Sequence, residues 1–406
     1  MNQTNVMQFL NEVSAKYPQA ISFAAGQPSP EFYQNESWAN FIKVYEDASP
    51  LSSSLLYRYA SSSGLINHEI AQFLRNDEGF SVAEQNITLT NGSQEAINLV
   101  VMKEVRNDNE CVVAIEPFYI GVKEVLEGQQ KRLVTLDFAK LCQGGDLSCE
   151  AFEQALQEIQ SQGISIKLVY INPDFNNPLG FCMSESTRQS LIKLAVKYHF
   201  KILEDNPYSH FCYQGKRLPS IYALDNQGVT YHLGSFSKIF CPGLRVGYLV
   251  EPATKDHGER RISDYKSATS INTCALAQAV IGGFLIQNDY SFKARMAEIN
   301  QHYGARKVAL VEAVKQSLSP LGVKLYEEVS GGFFQTLELP FEADFEWVEK
   351  SAAQYGVIVM PVSFFCVNST KWKRFVRLSF SYADETTIKE GISRLAKSIE
   401  SQCSIV

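Results

Sequence analysis

Short runs rich in β-branched and apolar residues recur along the first two thirds of the chain, and between most of them lie stretches with helical periodicity. The runs are NITLT (86–90), ECVVAIE (110–116), IKLVYIN (166–172), KILED (201–205), VTYHLGS (229–235) and RVGYLV (245–250). A typical intervening stretch, SQEAINLVVMKEV (93–105), puts Ile97, Val101 and Val105 on one helical face. Alternation of this kind predicts an α/β fold, with a mostly parallel central sheet flanked by helices on both sides. That pattern fills a large domain over residues 46–285.

From residue 286 to 406 the character changes. A long helical stretch from about Tyr290 to Leu318 is followed by VKLYEEV, GGFFQTLEL, the helical DFEWVEKSAAQYG, VIVM, FVRLSFS and a terminal helix. This predicts a smaller α+β C-terminal domain. Residues 1–45, with NVMQFLNEVSAKY helical and ISFAAG extended, form an arm too short to fold alone and are expected to join the small domain. An active site is expected between the domains, beyond the carboxyl ends of the parallel strands.

Charge and composition narrow the function class. A formal net charge of −7 without long blocks of like charge argues against nucleic acid or an anionic membrane as partner. No apolar run approaches the roughly twenty residues needed to span a bilayer. Nine cysteines, an odd number, and a start without a basic region and apolar run behind it fit free thiols in a cytoplasmic protein.

Several loops after the strands carry reactive residue types. In GSFSKIFCPGLRVGY (234–248), Lys238 stands in a Gly/Ser/Pro-rich loop, where partial burial would keep its amine reactive. Ser235, Ser237 and Arg245 can converge on a phosphate dianion. In NGSQEA (91–96), the N–H groups of Gly92, Ser93 and Gln94 enter a helix and offer a second anion contact. INPDFNNPLG (171–180) places Asn177 before Pro178, and EDNPYSH (204–210) places Asp205 and Tyr208 after a strand. Each of these alone is more often a turn, cap or surface residue, and a plain helix cap explains NGSQEA about equally well. Glu204, Asp205 and His210 are not read as a metal site, because Glu204 and Asp205 are adjacent on a strand and face opposite ways.

Taken together, the motifs resemble the class I/II aminotransferases, enzymes of pyridoxal 5′-phosphate (PLP) fold type I. Ser235-Phe236-Ser237-Lys238 with Pro242-Gly243-Leu244-Arg245 and Gly247-Tyr248 matches their lysine motif. ISFAAGQPSPEFY, LTNGSQEA, EPFY, NNPLG, EDNPY, SGGFF and VRLSFS follow in the family's order over nearly the whole chain. Within the family, the arm and GSQEA are most similar to broad-specificity aminotransferases acting on 2-aminoadipate, aromatic or branched-chain amino acids.

The resemblance implies a role for each matched residue. Lys238 forms an imine with the cofactor's aldehyde and, once freed, shuttles the proton between Cα and C4′. Asp205 pairs with the pyridine nitrogen. Asn177 and Tyr208 hydrogen-bond the ring's phenolic oxygen, and the Tyr119 ring stacks on the cofactor face. Gly92, Ser93, Gln94, Ser235, Ser237 and Arg245 hold the phosphate, and Arg377 grips the substrate α-carboxylate. Tyr59 is lent to the neighbouring subunit's phosphate, so a homodimer with shared active sites is implied. Gly26 brings the arm against the substrate, with Gln27 and Tyr33 lining a side-chain pocket that Val362 narrows. The substrates are an L-α-amino acid and a 2-oxo acid, with 2-oxoglutarate the acceptor by family habit. The same residues would serve a specialised PLP-dependent lyase or cyclase. A PLP-binding regulatory domain is the remaining alternative, disfavoured because the chain starts in the arm and is acidic.

Overall fold

The computed structural model describes residues 12–49, 54–143, 145–253 and 260–404. Its centre is a sheet in the order Ile87–Thr90, Gly247–Val250, Thr230–Ser235, Lys201–Asp205, Ser165–Ile171, Glu110–Glu116 and Arg132–Asp137. Gly247–Val250 runs antiparallel to both neighbours, and the remaining pairings are parallel. Sequence reasoning missed Arg132–Asp137. This strand lies at the sheet edge and is only half-buried, so its residues, RLVTLD, never form an apolar run.

The inner strands are mostly apolar on both sides because each face meets a different core. Leu168 and Tyr170 pack with Leu203, Tyr231 and Leu233 under helix Ser93–Glu104, which supplies Ile97 and Val101. Val169 and Ile171 pack on the opposite face with Ile202, beneath helices Cys149–Ser161 and Glu185–Tyr198. The two-residue period of a strand divides its side chains between these layers.

A smaller antiparallel sheet in the order Lys324–Leu325, Phe334–Glu338, Phe375–Ser379 and Met360–Pro361 carries Arg377. Helices Lys293–Ala313 and Glu385–Cys403 pack beside it. Ile21–Ser22 pairs in parallel with Val357–Ile358, Phe23 N–H donates to the Ile358 carbonyl and Ser379 N–H donates to the Phe23 carbonyl. These bonds run the chain from Ala24 to Gly26 alongside Arg377. The helix expected over NVMQFLNEVSAKY falls partly outside the described residues, and residues 12–16 of it are helical. Among the described residues no helix is long and apolar enough to cross a membrane.

Two packing features fix the site loops. Arg188 is fully buried and uses its whole guanidinium: two bonds to Asp174, at 2.6 and 3.2 Å, and others to the Met183, Pro173 and Pro219 carbonyls. A buried cation is tolerated only when paired and fully hydrogen-bonded, and here that requirement pins the loop containing Asn177. Behind Lys238, Phe240 packs against Trp38, Phe41 and Phe284 with ring centroids 4.8–6.1 Å apart. Helices Trp38–Ala48 and Ala275–Gln287 can approach closely there because residue 283 is glycine. A Cβ on Gly283 would lie 1.8 Å from the Phe41 carbonyl oxygen. Gly283→Ala is therefore expected to destabilise the protein by about 2–3 kcal/mol through overpacking. Thermal and urea unfolding of the variant check this, and an unchanged midpoint would contradict it.

Candidate active site

Strand Lys201–Asp205 ends on Asp205 and strand Thr230–Ser235 on Ser235, side by side in the sheet, and a cavity of about 310 Å³ opens beyond them. Ser235 caps the single helical turn Phe236–Ile239: its hydroxyl oxygen accepts the Ser237 N–H at 3.2 Å. That turn aims Lys238 into the cavity, where Nζ donates to the Gly26 carbonyl at 2.7 Å. Gly26 contributes in a way the sequence did not suggest. The space that a Cβ would need is occupied by the Phe334 ring, 2.7 Å from the Cβ position.

Charge in the cavity is perturbed by burial. Asp205 is 3% exposed, and burial raises its carboxyl to about 6 against the opposing pull of the Tyr170 hydroxyl, His232 and Lys238. Tyr170 donates to Asp205 Oδ2 at 2.7 Å, while Oδ1 is buried with no hydrogen-bond partner. Burial, reinforced by Arg377 and Arg245, lowers Lys238 to about 8, although Asp205 pulls the other way. Lys238 keeps some accessible surface, but its amine end lies deep in the cavity it lines. Burial also lowers Arg377 to about 10, which still leaves the guanidinium charged at any working pH. Burial raises the Tyr119 phenol to about 12.

Arg377 is held by two hydrogen bonds and two aromatic rings, while its Nε is buried with no hydrogen-bond partner. Nη1 donates to Asn177 Oδ1 at 2.6 Å and Nη2 donates to the Ala24 carbonyl. The guanidinium carbon lies 4.2 Å from the centroid of Phe334 and 5.0 Å from that of Phe365. Because Asn177 spends its oxygen on Arg377, its Nδ2 is the group left to donate into the cavity. Tyr208 is buried beside it, its ring 5.6 Å from those of Phe333 and Phe334.

At the other end, Ser93, Gln94, Ser235, Ser237 and Arg245 line a polar corner. Arg245 donates to Ser237 Oγ and to the Asn91 carbonyl, both at 3.3 Å. Gly92 has φ 82°, and a Cβ there would lie 2.5 Å from Arg245 Nη2, so glycine is needed both for the turn and for the guanidinium. Tyr119 lines the same cavity.

The residues singled out from sequence thus meet in one cavity, with exceptions. Gly92 does not line it and instead backs the Arg245 guanidinium. Tyr59 lies outside it and is 82% exposed. Gln27 lines the cavity but Tyr33 does not. Val362 does not narrow it, since its side chain packs with Phe138, Leu179 and Trp372 in a separate core. Sequence reasoning missed Tyr170 and Phe334. Tyr170 sits in an apolar strand run, and only the register that pairs it with Leu203 brings its hydroxyl to Asp205.

This arrangement fits a phosphorylated pyridine aldehyde. A buried carboxylate oxygen without a partner, a lysine with a lowered pKa, a donor amide and phenol, and an anion corner with a cationic guanidinium match the group's four functional parts. With its pKa near 8 instead of 10.5, Lys238 presents roughly two orders of magnitude more free amine at pH 7 than an ordinary lysine. Its reaction with an added aldehyde should therefore rise with pH and level off above about 8. Stopped-flow labelling of the cofactor-free protein across pH 6–11 tests this, and a rate still climbing to 10.5 would refute the shift.

Comparison with known proteins agrees with the geometry. The family model for aminotransferase class I and II matches residues 21–395. The chain is 32% identical over 402 residues to (S)-3,5-dihydroxyphenylglycine transaminase of Amycolatopsis orientalis, covering 96% of this chain and 90% of that protein. It is 29% identical to aromatic-amino-acid aminotransferase 1 of Thermococcus litoralis, covering 94% and 88% of the two chains. The crystal structure of Pyrococcus horikoshii kynurenine aminotransferase superposes with a TM-score of 0.85 at 29% identity, covering 99% of this chain and 95% of that one. The chain belongs to the class I and II aminotransferases, enzymes of PLP fold type I that use pyridoxal phosphate to move an amino group from an amino acid to a 2-oxo acid.

Proposed function

We propose that this aminotransferase draws its amino group from L-α-amino acids with aromatic or other uncharged side chains. The observation that carries the proposal is the charge inventory of the cavity. Among the described residues, its cations are Lys238, Arg245 and Arg377, and the last two stand at opposite ends. One guanidinium suits the cofactor phosphate and the other the substrate α-carboxylate, which leaves no arginine or lysine for a second carboxylate. The rest of the wall includes Ala24, Ala25, Ile120, Met360 and Phe365. An apolar wall favours an apolar or aromatic side chain and leaves a distal carboxylate desolvated without a partner. The names of three relatives, for aromatic amino acids, dihydroxyphenylglycine and kynurenine, support the same reading, whereas a 2-aminoadipate transaminase 27% identical to the chain is named for a dicarboxylic donor.

Pyridoxal phosphate supplies an aldehyde that couples to amines and a ring that withdraws electrons from the carbon bearing the amino group. In this reading the chain's residues do the rest. Lys238 Nζ holds the cofactor and then carries the proton from the substrate Cα. Asp205, whose Oδ1 is buried without a partner, would hold the pyridine nitrogen and favour its protonated form. Asn177 Nδ2 and the Tyr208 hydroxyl bind the phenolic oxygen, and Tyr119 supports one ring face. Arg377 exchanges the Ala24 carbonyl for the substrate carboxylate, gaining a paired hydrogen bond. Tyr59, exposed in one chain, reaches a partner subunit's phosphate corner in a homodimer.

Single-turnover assays with one amino acid at a time and no oxo acid decide the specificity. Tyrosine, phenylalanine or kynurenine should convert the bound cofactor to pyridoxamine phosphate at least about tenfold faster than aspartate or glutamate. Faster conversion by the dicarboxylic donors would refute the assignment. Lys238→Ala should lose at least about a hundredfold in the half-reaction and all borohydride-reducible attachment of cofactor. Retention of that attachment would remove Lys238 from its role, and sedimentation as a monomer at assay concentration would remove Tyr59 from its own.

A further inference from the structure

The turn that carries Gly92 is braced from behind by a carboxylate. Glu95, on the first turn of helix Ser93–Glu104, folds back so that Oε2 accepts the Asn91 N–H at 2.7 Å and Oε1 accepts Asn91 Nδ2 at 3.1 Å. The Asn91 carbonyl in turn accepts Arg245 Nη2. One side chain thus sets both the turn that presents Ser93 and Gln94 and the anchor of the guanidinium beside Ser237. Glu95 does not line the cavity, but a bare carboxylate behind the turn would act against an anion in front of it, because charge is weakly screened where water is scarce.

The compensating charge arrives from another part of the chain. Lys266, on helix Ile262–Thr269, is fully buried, and its Nζ donates to Glu95 Oε2 at 2.6 Å and to Ser270 Oγ at 3.0 Å. Ser270 Oγ donates in turn to Glu95 Oε1. Burial pushes the Glu95 carboxyl up, but the bonds from Lys266, Ser270 and the Asn91 amide outweigh it and hold it below its ordinary value. Burial lowers Lys266, although its bond to Glu95 pulls the other way; the 2.6 Å contact between its amine and the carboxylate is that of an ion pair. Just beyond the helix Ile271, β-branched, sits at φ 65° with its N–H bonded to the Lys266 carbonyl at 3.1 Å.

We propose that Lys266 is a positioning residue for the cofactor's phosphate: it cancels the charge of Glu95, so that Glu95 can brace the Asn91–Gly92 turn without repelling the dianion held there. The inference rests on the reading that Ser93, Gln94, Ser235, Ser237 and Arg245 hold that phosphate. Lys266 touches neither cofactor nor substrate and acts through Glu95.

The test compares pyridoxal phosphate with pyridoxal, which lacks the phosphate, binding to the full-length cofactor-free protein. Dissociation constants are measured by fluorescence for wild type, Lys266→Met, Glu95→Gln/Lys266→Met and Arg245→Ala. Lys266→Met should weaken pyridoxal phosphate by about tenfold or more and pyridoxal by less than about twofold, since only the phosphate feels the uncompensated carboxylate. The double variant, with neither charge, should recover binding to within about threefold of wild type. An equal loss for both ligands, or a double variant no tighter than Lys266→Met, would overturn the proposal. If Lys266→Met cannot be recovered folded, the double variant alone decides, and a loss of about tenfold or more there overturns it as well. Wild-type affinity in Arg245→Ala would instead overturn the phosphate assignment itself, and the inference with it.

Discussion

Among the described residues that line the cavity, three cations face one carboxylate. Lys238, Arg245 and Arg377 surround Asp205, and burial drives the lysine toward its neutral form and the aspartate toward its protonated form. An excess of positive charge on this scale is tolerable only if backbone carbonyls share it or anions arrive to meet it. The carbonyls of Gly26, Ala24 and Asn91 and the Asn177 side chain do the first. A phosphate and an α-carboxylate, both carried by the family's ligands, do the second. The cavity's chemistry and its ligand preference follow from this one imbalance.

Each charged group is held by a partner from a distant stretch of chain, and this is where the fold's stability and its activity meet. Asp205 is oriented by Tyr170 from the adjacent strand. Asn177 lies in a loop that Arg188 ties down through five donors. Lys238 sits on a turn backed by Phe240, which packs against the close pair of helices that Gly283 permits. The Gly92 turn is braced by Glu95, whose charge Lys266 balances. Because a small misplacement of a reacting group is costly to rate, these supports bear on activity as well as on stability.

Much of the site was legible from sequence because its residues cluster in short segments. Ser235, Ser237, Lys238 and Arg245 fall within one loop and its turn, and Asp205 and Tyr208 within another. The alternation of apolar runs and helical stretches likewise revealed the parallel sheet, since strands covered on both faces read as nearly continuous apolar runs. The edge strand Arg132–Asp137 escaped notice for the opposite reason: one exposed flank lets polar residues interrupt its pattern. Val362 misled because its place in the motif suggested a pocket wall, whereas its side chain turns into a core with Trp372.

The amino-acid sequence by itself determined the fold class and singled out Lys238, the polar loops and Asp205, which the cavity gathers. These are local properties, written in residue type and spacing over ten or fifteen positions. Only the tertiary structure decided that Tyr170 orients Asp205, that Phe334 fills the space beside Gly26 and flanks Arg377, and that Lys266 neutralises Glu95. Those contacts join residues 35, 308 and 171 positions apart, in the first, second and third case respectively. Strand register and helix packing, which no local pattern encodes, bring them within bonding distance.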